Sequence, residues 1–142
     1  MTRGLLLGLA VLSGCDLSNG MLALDAPDRA AFEAEAGPIL AERCGAVQCH
    51  GNAERPFNLY SIGNRRRPPL GTYSHDPLTP LEHDANYKAT LGFLDAERAR
   101  ETTLLRKALG VGGSGGHGGG AVFEAASDPE CRAVRAWIEE SP

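Results

Sequence analysis

An apolar stripe with helical spacing runs from Phe32 to Cys44, because its apolar side chains recur every three or four residues. This pattern predicts an amphipathic helix that buries one face. Gly37 and Pro38 interrupt the stripe, and proline lacks the N–H that the helical ladder requires. We therefore expect the helix to kink at this point or to restart near Ile39.

The clearest helical pattern lies at the C-terminus. Ser127 is a typical N-cap, Glu130 follows three residues later, and a proline between them occupies the first turn. The helix is expected to reach Pro142. Its apolar face bears Cys131, Val134, Trp137 and Ile138. Because Trp137 needs a partner to become buried, we expect this helix to pack against the N-terminal one around Phe32.

The chain between these two helices combines loops with two shorter helices. Residues 51–82 hold most of the prolines and show no sustained period, which predicts loops. Helices are expected at 81–94 and at 95–109, the second ended by Gly110. Eight glycines occur among residues 110–120, which is typical of a flexible linker or of a loop that approaches a bulky group closely. The pattern as a whole predicts an all-α fold with long irregular loops.

A different pattern opens the chain. Arg3 supplies one positive charge, and residues 4–12 carry no polar side chain, a run shorter than the roughly 20 residues that span a membrane. The sequence Leu-Ser-Gly-Cys at residues 12–15 resembles a lipobox, in which the cysteine thiol accepts the lipid. We therefore expect residues 1–14 to be a lipoprotein signal peptide and Cys15 to be lipidated.

Length and composition constrain the mature part of the chain. Residues 15–26 are interpreted as a lipidated tether and residues 27–142 as a single domain. The net charge of −4 argues against nucleic acid as a partner. The basic run Arg65–Arg67 is expected to be a solvated turn. No Ser-His-Asp or paired-carboxylate arrangement is recognisable, so we do not predict an enzyme.

The most informative segment is CGAVQCHG, which begins at Cys44. Two cysteines followed directly by histidine form the pattern of covalent c-type haem attachment, with thioethers from Cys44 and Cys49 and with His50 as the proximal iron ligand. The gap between the cysteines is four residues instead of the usual two. Positions five apart on a helix differ by about 140°, so both sulfurs reach one haem edge only if Gly45 and Ala46 bulge outward.

The sixth position of such an iron has three candidate ligands. Methionine after the motif is excluded, because Met1 and Met21 both precede it. The histidines that remain are His75, His83 and His117. We rank His117 first, since its glycine-rich surroundings allow the backbone to approach a ring, and we expect the other two to be exposed loop histidines.

Taken in order, these motifs resemble cytochrome c-like domains of bacterial lipoproteins, including the planctomycete-type cytochrome C family. The resemblance covers residues 32–140. It is carried by Pro38-Ile39-Leu40, Cys49-His50-Gly51, residues 104–109, His117-Gly118-Gly119, Phe123, Asp128 and Trp137-Ile138. It implies helices packed around one covalently bound haem c and electron transfer to a redox partner protein. The lipid on Cys15 would hold the protein at the inner or outer membrane of the cell envelope, facing the periplasm or the exterior.

Two other interpretations stay open. In the first, the domain is a haem-free, cytochrome-like scaffold that acts as a structural or binding module, and a disulfide joins Cys44 and Cys49, or one of them and Cys131. In the second, a metal such as zinc is bound by the two motif cysteines, His50 and either Cys131 or His117. An oxidising compartment disfavours the three free thiols that this metal site needs.

The lipid anchor is tested by the variant Cys15→Ala. We expect the variant either to lose processing or to appear in the soluble fraction, because acylation supplies the membrane affinity. Fractionation and mass spectrometry of the mature N-terminus measure both results, and Ser18→Ala in the tether serves as the control. A Cys15→Ala protein that is cleaved and still sediments with membranes like the wild type would contradict the assignment.

Overall fold

The fold of the described chain consists of helices joined by long irregular segments. The computed structural model describes residues 26–71, 73–94, 102–110 and 117–139. Its elements are α1 (Arg29–Ala31), a π-helical segment (Phe32–Ala36), α2 (Gly37–Cys44), α3 (Pro80–Leu91), α4 (Thr103–Ala108) and α5 (Pro129–Glu139). These ranges contain no strand, so the all-α prediction is confirmed for them. None of their helices is long and apolar enough to cross a membrane. The predicted signal peptide and Cys15 lie outside the described residues.

The first three helical segments follow one another directly and show how the chain accommodates its proline. Pro38 has no N–H to donate, and the Gly37 N–H bonds to the Phe32 carbonyl, five residues back, instead of to the fourth. A Cβ atom on residue 37 would lie 2.9 Å from the Phe32 ring, so this position favours glycine. The predicted irregularity is therefore confirmed: it occupies the turn before Gly37, and α2 begins at Gly37, two residues before Ile39.

The N-terminal and C-terminal helices pack against each other, as predicted. The Trp137 side chain is 3% exposed, and its ring centroid lies 5.0 Å from that of Phe32. The indole N–H donates to the Asp28 carbonyl at 2.9 Å. The apolar side chains buried with them include Ala36, Leu40, Leu59, Leu105, Phe123, Cys131, Val134 and Ile138. One core thus joins both ends of the domain.

The N-cap of α5 is one residue later than predicted. Asp128, and not Ser127, accepts the backbone N–H groups of Glu130 at 2.8 Å and of Cys131 at 3.3 Å. Glu130 does not close a capping box with Ser127 and instead forms an ion pair with Arg43 at 2.5 Å. This pair connects α5 to α2.

Helix α3 covers most of the predicted range 81–94, but it begins one residue earlier and ends three residues earlier, and its buried face is polar. Its fully buried residues are Glu82, Asn86 and Thr90, a polar stripe at four-residue steps. Tyr87 on the same helix is only partly buried. A capping box between Thr79 and Glu82 starts the helix. The sequence-based prediction of this helix did not use that local signal.

Glu82 forms a buried ion pair that corrects the interpretation of the basic run. The Arg66 guanidinium donates to both Glu82 oxygens, at 3.0 and 2.9 Å, and neither side chain is exposed. Arg66 also donates to the carbonyls of Ser74, Asp76 and Pro77. Arg67 is exposed, as expected of a solvated turn, but Arg66 is not. A buried arginine of this kind donates hydrogen bonds to several loop carbonyls, which would otherwise need water molecules as donors.

Helix α4 is joined by backbone hydrogen bonds to the segment that follows the glycine-rich stretch. Thr102 caps α4 by accepting the Leu105 N–H, and Gly110 follows the helix with φ of 67°, so the predicted end is confirmed. Residues 95–101 of the predicted helix lie outside the described residues. The N–H groups of Val122 and Phe123 both donate to the Ala108 carbonyl. The chain on either side of the glycine-rich segment is therefore joined at the end of α4.

The packing of Trp137 generates a stability prediction. Trp137→Ala should lower the free energy of unfolding by about 3–5 kcal/mol, because it leaves a cavity between the terminal helices. Trp137→Phe should cost less, since it keeps an aromatic ring and loses mainly the indole hydrogen bond. Urea denaturation measures both, with exposed Arg132→Ala in the same helix as the control. A loss below about 1 kcal/mol in Trp137→Ala would contradict this packing.

The buried ion pair predicts how stability depends on pH. Burial alone raises the pKa of the Glu82 carboxyl, but hydrogen bonds from Arg66 and from two neighbouring backbone N–H groups lower the pKa to about 2. A glutamate in the unfolded chain has a pKa of about 4.3. The ionised form is therefore stabilised by about 3 kcal/mol above pH 5, and this contribution is lost as the pH falls from about 4.3 to 2.

Urea denaturation between pH 6 and pH 2.5 tests this expectation. The wild type should lose stability across the lower part of this range, and Glu82→Gln should have a smaller pH dependence together with a lower stability at pH 6. Glu124→Gln, at an exposed carboxyl, is the matched control and should keep the wild-type profile. An unchanged pH dependence in Glu82→Gln would show that this carboxyl does not titrate as argued.

Candidate metal and cofactor site

The four residues between the two motif cysteines form a turn after α2. The helix ends at Cys44, and the Gly45 N–H still bonds to the Ala41 carbonyl at 3.0 Å. The chain then turns, and the His50 N–H donates back to the Cys44 carbonyl at 3.0 Å. The long gap is thus absorbed by the turn, which brings the histidine back beside the helix end.

Two glycines make this turn sterically possible. A Cβ atom on residue 45 would approach the Ser61 hydroxyl to 2.6 Å, and one on residue 51 would approach the Ala46 carbonyl carbon to 2.9 Å. The Ser61 hydroxyl donates to the Gly45 carbonyl at 2.9 Å. Glycine is therefore required at residues 45 and 51 because a side chain there would collide with neighbouring atoms, and not because the backbone angle is unusual.

The His50 ring is held in a single orientation. Its Nδ1 lies 2.8 Å from the Phe57 carbonyl oxygen, which can only accept, so Nδ1 carries the proton. The ring centroid lies 4.8 Å from that of Phe57, and the Leu59 N–H donates to the His50 carbonyl at 2.6 Å. Nε2 is therefore the nitrogen that remains available as a ligand.

His117 carries the same arrangement on a separate segment. Its Nδ1 lies 2.6 Å from the Gly120 carbonyl oxygen, so Nδ1 is again protonated and Nε2 is available. The segment lies near α4 because Val122, a few residues later, bonds to Ala108 at 2.7 Å. A backbone carbonyl thus orients each imidazole, as is usual for histidines that bind metals.

The two Nε2 atoms face each other. His50 Nε2 and His117 Nε2 are 3.5 Å apart, whereas the ring centroids are 5.7 Å apart and the ring planes differ by 20°. The rings therefore meet tip to tip and not face to face. A good hydrogen bond would be about 2.7–3.2 Å long, and a metal bound in line between the two nitrogens, at about 2.0–2.1 Å from each, would set them about 4 Å apart. The observed separation lies between these values.

A cavity adjoins this histidine pair. Its volume is about 350 Å³, within the range of small-molecule and cofactor sites. Both imidazoles and Cys44 line it, together with the basic residues Arg55 and Lys107. The apolar part of the wall consists of Leu40, Pro56, Phe57, Phe93, Leu104, Ala108 and Val122. Phe57 and Phe93 were not predicted as site residues from the sequence: Phe57 lies in a segment without a helical period, and Phe93 lies near the end of the helix predicted over residues 81–94.

The three described cysteines differ in their positions. Cys44 is buried at the cavity, and burial, followed by repulsion from a thiolate at the neighbouring Cys49, raises the pKa of the Cys44 thiol to about 11. Cys49 is half-buried and is not among the residues that line the cavity. Cys131 is buried in the core, where burial raises its pKa. None of the three forms a disulfide, so the disulfide-stapled scaffold gains no support.

The predicted zinc site is also not found in the part of the chain that the structure describes. Across residues 26–71, 73–94, 102–110 and 117–139, no three His, Cys, Asp or Glu side chains come together as a metal site. The four-donor zinc site is therefore not formed there. His75 is exposed beside Gly63, and His83 lines a second cavity with Pro38 and Ile62. Of the three candidate histidines, the structure brings His117 to His50.

Comparison with protein-family models, with curated proteins and with solved structures gives no match to this chain. The resemblance to cytochrome c-like domains thus remains a prediction from short motifs. Function is accordingly argued from the histidine pair, the cysteines and the cavity.

Proposed function

We propose that this chain is a membrane-anchored monohaem c-type cytochrome that transfers electrons. In this proposal the haem is attached through Cys44 and Cys49. His50 and His117 would hold its iron through their Nε2 atoms. The redox partner is a protein that approaches the domain at the membrane surface.

The observation that carries the proposal is the pair of opposed Nε2 atoms. When both imidazoles are in the neutral form, the backbone carbonyls hold their protons on Nδ1, so two lone pairs face each other across 3.5 Å. Such lone pairs repel unless something positive lies between them. Two imidazoles alone are too few ligands to retain a metal strongly, whereas the four nitrogens of a porphyrin complete the coordination of an iron.

The surroundings of the pair fit the chemical character of haem. The apolar wall suits the porphyrin face, while Arg55 and Lys107 suit its carboxylates. A bound haem supplies a one-electron couple. Leu40, Phe57 and Leu104 exclude water from the site, and burial of this kind is one means by which a protein sets the potential of the couple.

Attachment through the cysteines requires no oxidant. Each thiol would add its S–H bond across a vinyl group of the porphyrin, forming a C–S bond to one carbon and delivering the proton to the other. Cys44 already lies at the cavity. Cys49 precedes His50 directly but does not line the cavity, so a second thioether would require its sulfur to move toward the cavity.

The membrane attachment is part of the same proposal. It rests on the lipobox that ends at Cys15 and on the short apolar run before it. A lipid at this position would hold the domain at a membrane of the cell envelope and confine its encounter with a redox partner to that surface.

Covalent haem and its ligands are tested in one series of proteins. The chain is produced in a host with c-type cytochrome maturation, and we expect a Soret band that survives acid-acetone extraction. The wild type should be low-spin, with a potential below that of His/Met cytochromes because thioether ligation raises the potential. His117→Ala should keep the haem and become high-spin, while His50→Ala should lose stable low-spin haem.

Two further histidines provide matched controls. His75→Ala and His83→Ala remove the same side chain at positions away from the cavity, and their spectra should equal that of the wild type. A wild-type protein without covalent haem would contradict the proposed function. A His117→Ala spectrum identical to the wild type would remove His117 from the site.

A further inference from the structure

The two proposed ligands are held very differently. His50 donates its backbone N–H to the Cys44 carbonyl and accepts the Leu59 N–H at its own carbonyl. Its ring packs against Phe57 and bonds to the Phe57 carbonyl. The glycine that comes next, Gly51, is buried against neighbouring backbone. Contacts from several segments therefore fix this imidazole.

His117 is held mainly by its own turn. The ring bonds to the Gly120 carbonyl at 2.6 Å, and the Gly120 N–H bonds back to the His117 carbonyl at 2.8 Å. The three residues after it are exposed glycines. A Cβ atom at Gly118 or Gly120 would meet nothing within 4 Å. This turn can therefore move without breaking contacts with the helices.

We propose that the sixth position is exchangeable and that His117 gives way there to a small neutral ligand of ferrous haem, of the class to which carbon monoxide belongs. This inference rests on the proposed function. In the exchange, the bond between iron and His117 Nε2 breaks and a bond between iron and the incoming ligand forms. The iron stays ferrous, and neither a proton nor an electron is transferred.

The spacing of the two imidazoles supports this asymmetry. Their Nε2 atoms are 3.5 Å apart, and an iron between them requires about half an ångström more, given metal–imidazole bonds of about 2.0–2.1 Å. His50 is fixed on several sides, so the turn that carries His117 must supply this movement. The ligand that already has to move is the one that is replaced most readily.

The chemistry of the cavity favours neutral ligands over anions. In the proposed function Arg55 and Lys107 pair with the haem carboxylates, and the rest of the wall is largely apolar, with side chains such as Leu104, Ala108 and Val122. Moving an anion from water to such a wall costs much more free energy than moving a neutral diatomic molecule. We therefore expect carbon monoxide to bind readily and azide to bind weakly.

The test uses the purified haem-containing protein, reduced with dithionite and mixed with carbon monoxide. The wild type should form the complex at a rate that reaches a plateau at high carbon monoxide, because dissociation of His117 then limits the reaction. His117→Ala should bind without a plateau. In the double variant Gly118→Ala, Gly119→Ala the plateau rate should fall about two- to fivefold, since alanine restricts the open turn.

The glycine variants are chosen to fit the turn. Neither Gly118 nor Gly119 has a positive φ, and a Cβ on residue 119 would contact the His117 ring at 3.4 Å. The matched control is Gly71→Ala, at an exposed glycine with open space around it and away from the cavity. The control should keep the wild-type plateau rate.

The outcomes separate this inference from the proposed function. Absence of covalent haem overturns both. Covalent, low-spin haem that forms no carbon monoxide complex overturns the exchange while the cytochrome assignment stands, and so does a rate that shows no plateau in the wild type. Amide hydrogen exchange gives a second readout: the Gly120 amide should exchange faster than the Leu59 and His50 amides, and equal protection would contradict the asymmetry.

Discussion

The polar stripe of α3 is the constraint on which the rest of the fold depends. Glu82 neutralises Arg66, whose other donors bind loop carbonyls, and Asn86 bonds to both the N–H and the carbonyl of Tyr60. The next residue back, Leu59, donates to the His50 carbonyl. The buried polar face of α3 thus fixes an irregular segment that lacks a regular pattern of backbone hydrogen bonds. Through that segment it positions the His50 imidazole.

The site depends on backbone carbonyls as much as on side chains. The carbonyls of Phe57 and Gly120 fix the proton of each imidazole on Nδ1, so the nitrogens available to a metal are the two that face each other. Without these bonds, either ring could rotate or present the other nitrogen. The orientation of His50 comes from a well-packed segment, whereas that of His117 comes from a small turn.

The wide spacing of the motif is compatible with this geometry because of its glycines. On a continued helix, Cys44 and Cys49 would point in different directions. The chain leaves the helix at Cys44 instead, and Gly45 and Gly51 allow the turn to close tightly enough for His50 to bond back to the helix end. With this turn, Cys44 lines the cavity and Cys49 does not.

Local patterns in the sequence were enough to predict the helical ends of the domain, the packing of Trp137 and the short set of histidines from which a second ligand would come. These patterns have fixed spacing, since a helix repeats every 3.6 residues. The burial of Arg66 and the polar buried face of α3 became apparent only in three dimensions, and so did the distance at which His117, already ranked first from its glycine-rich surroundings, faces His50. Such pairings join residues far apart in the chain, and their burial depends on which partner satisfies each polar group, a property without any period in the sequence.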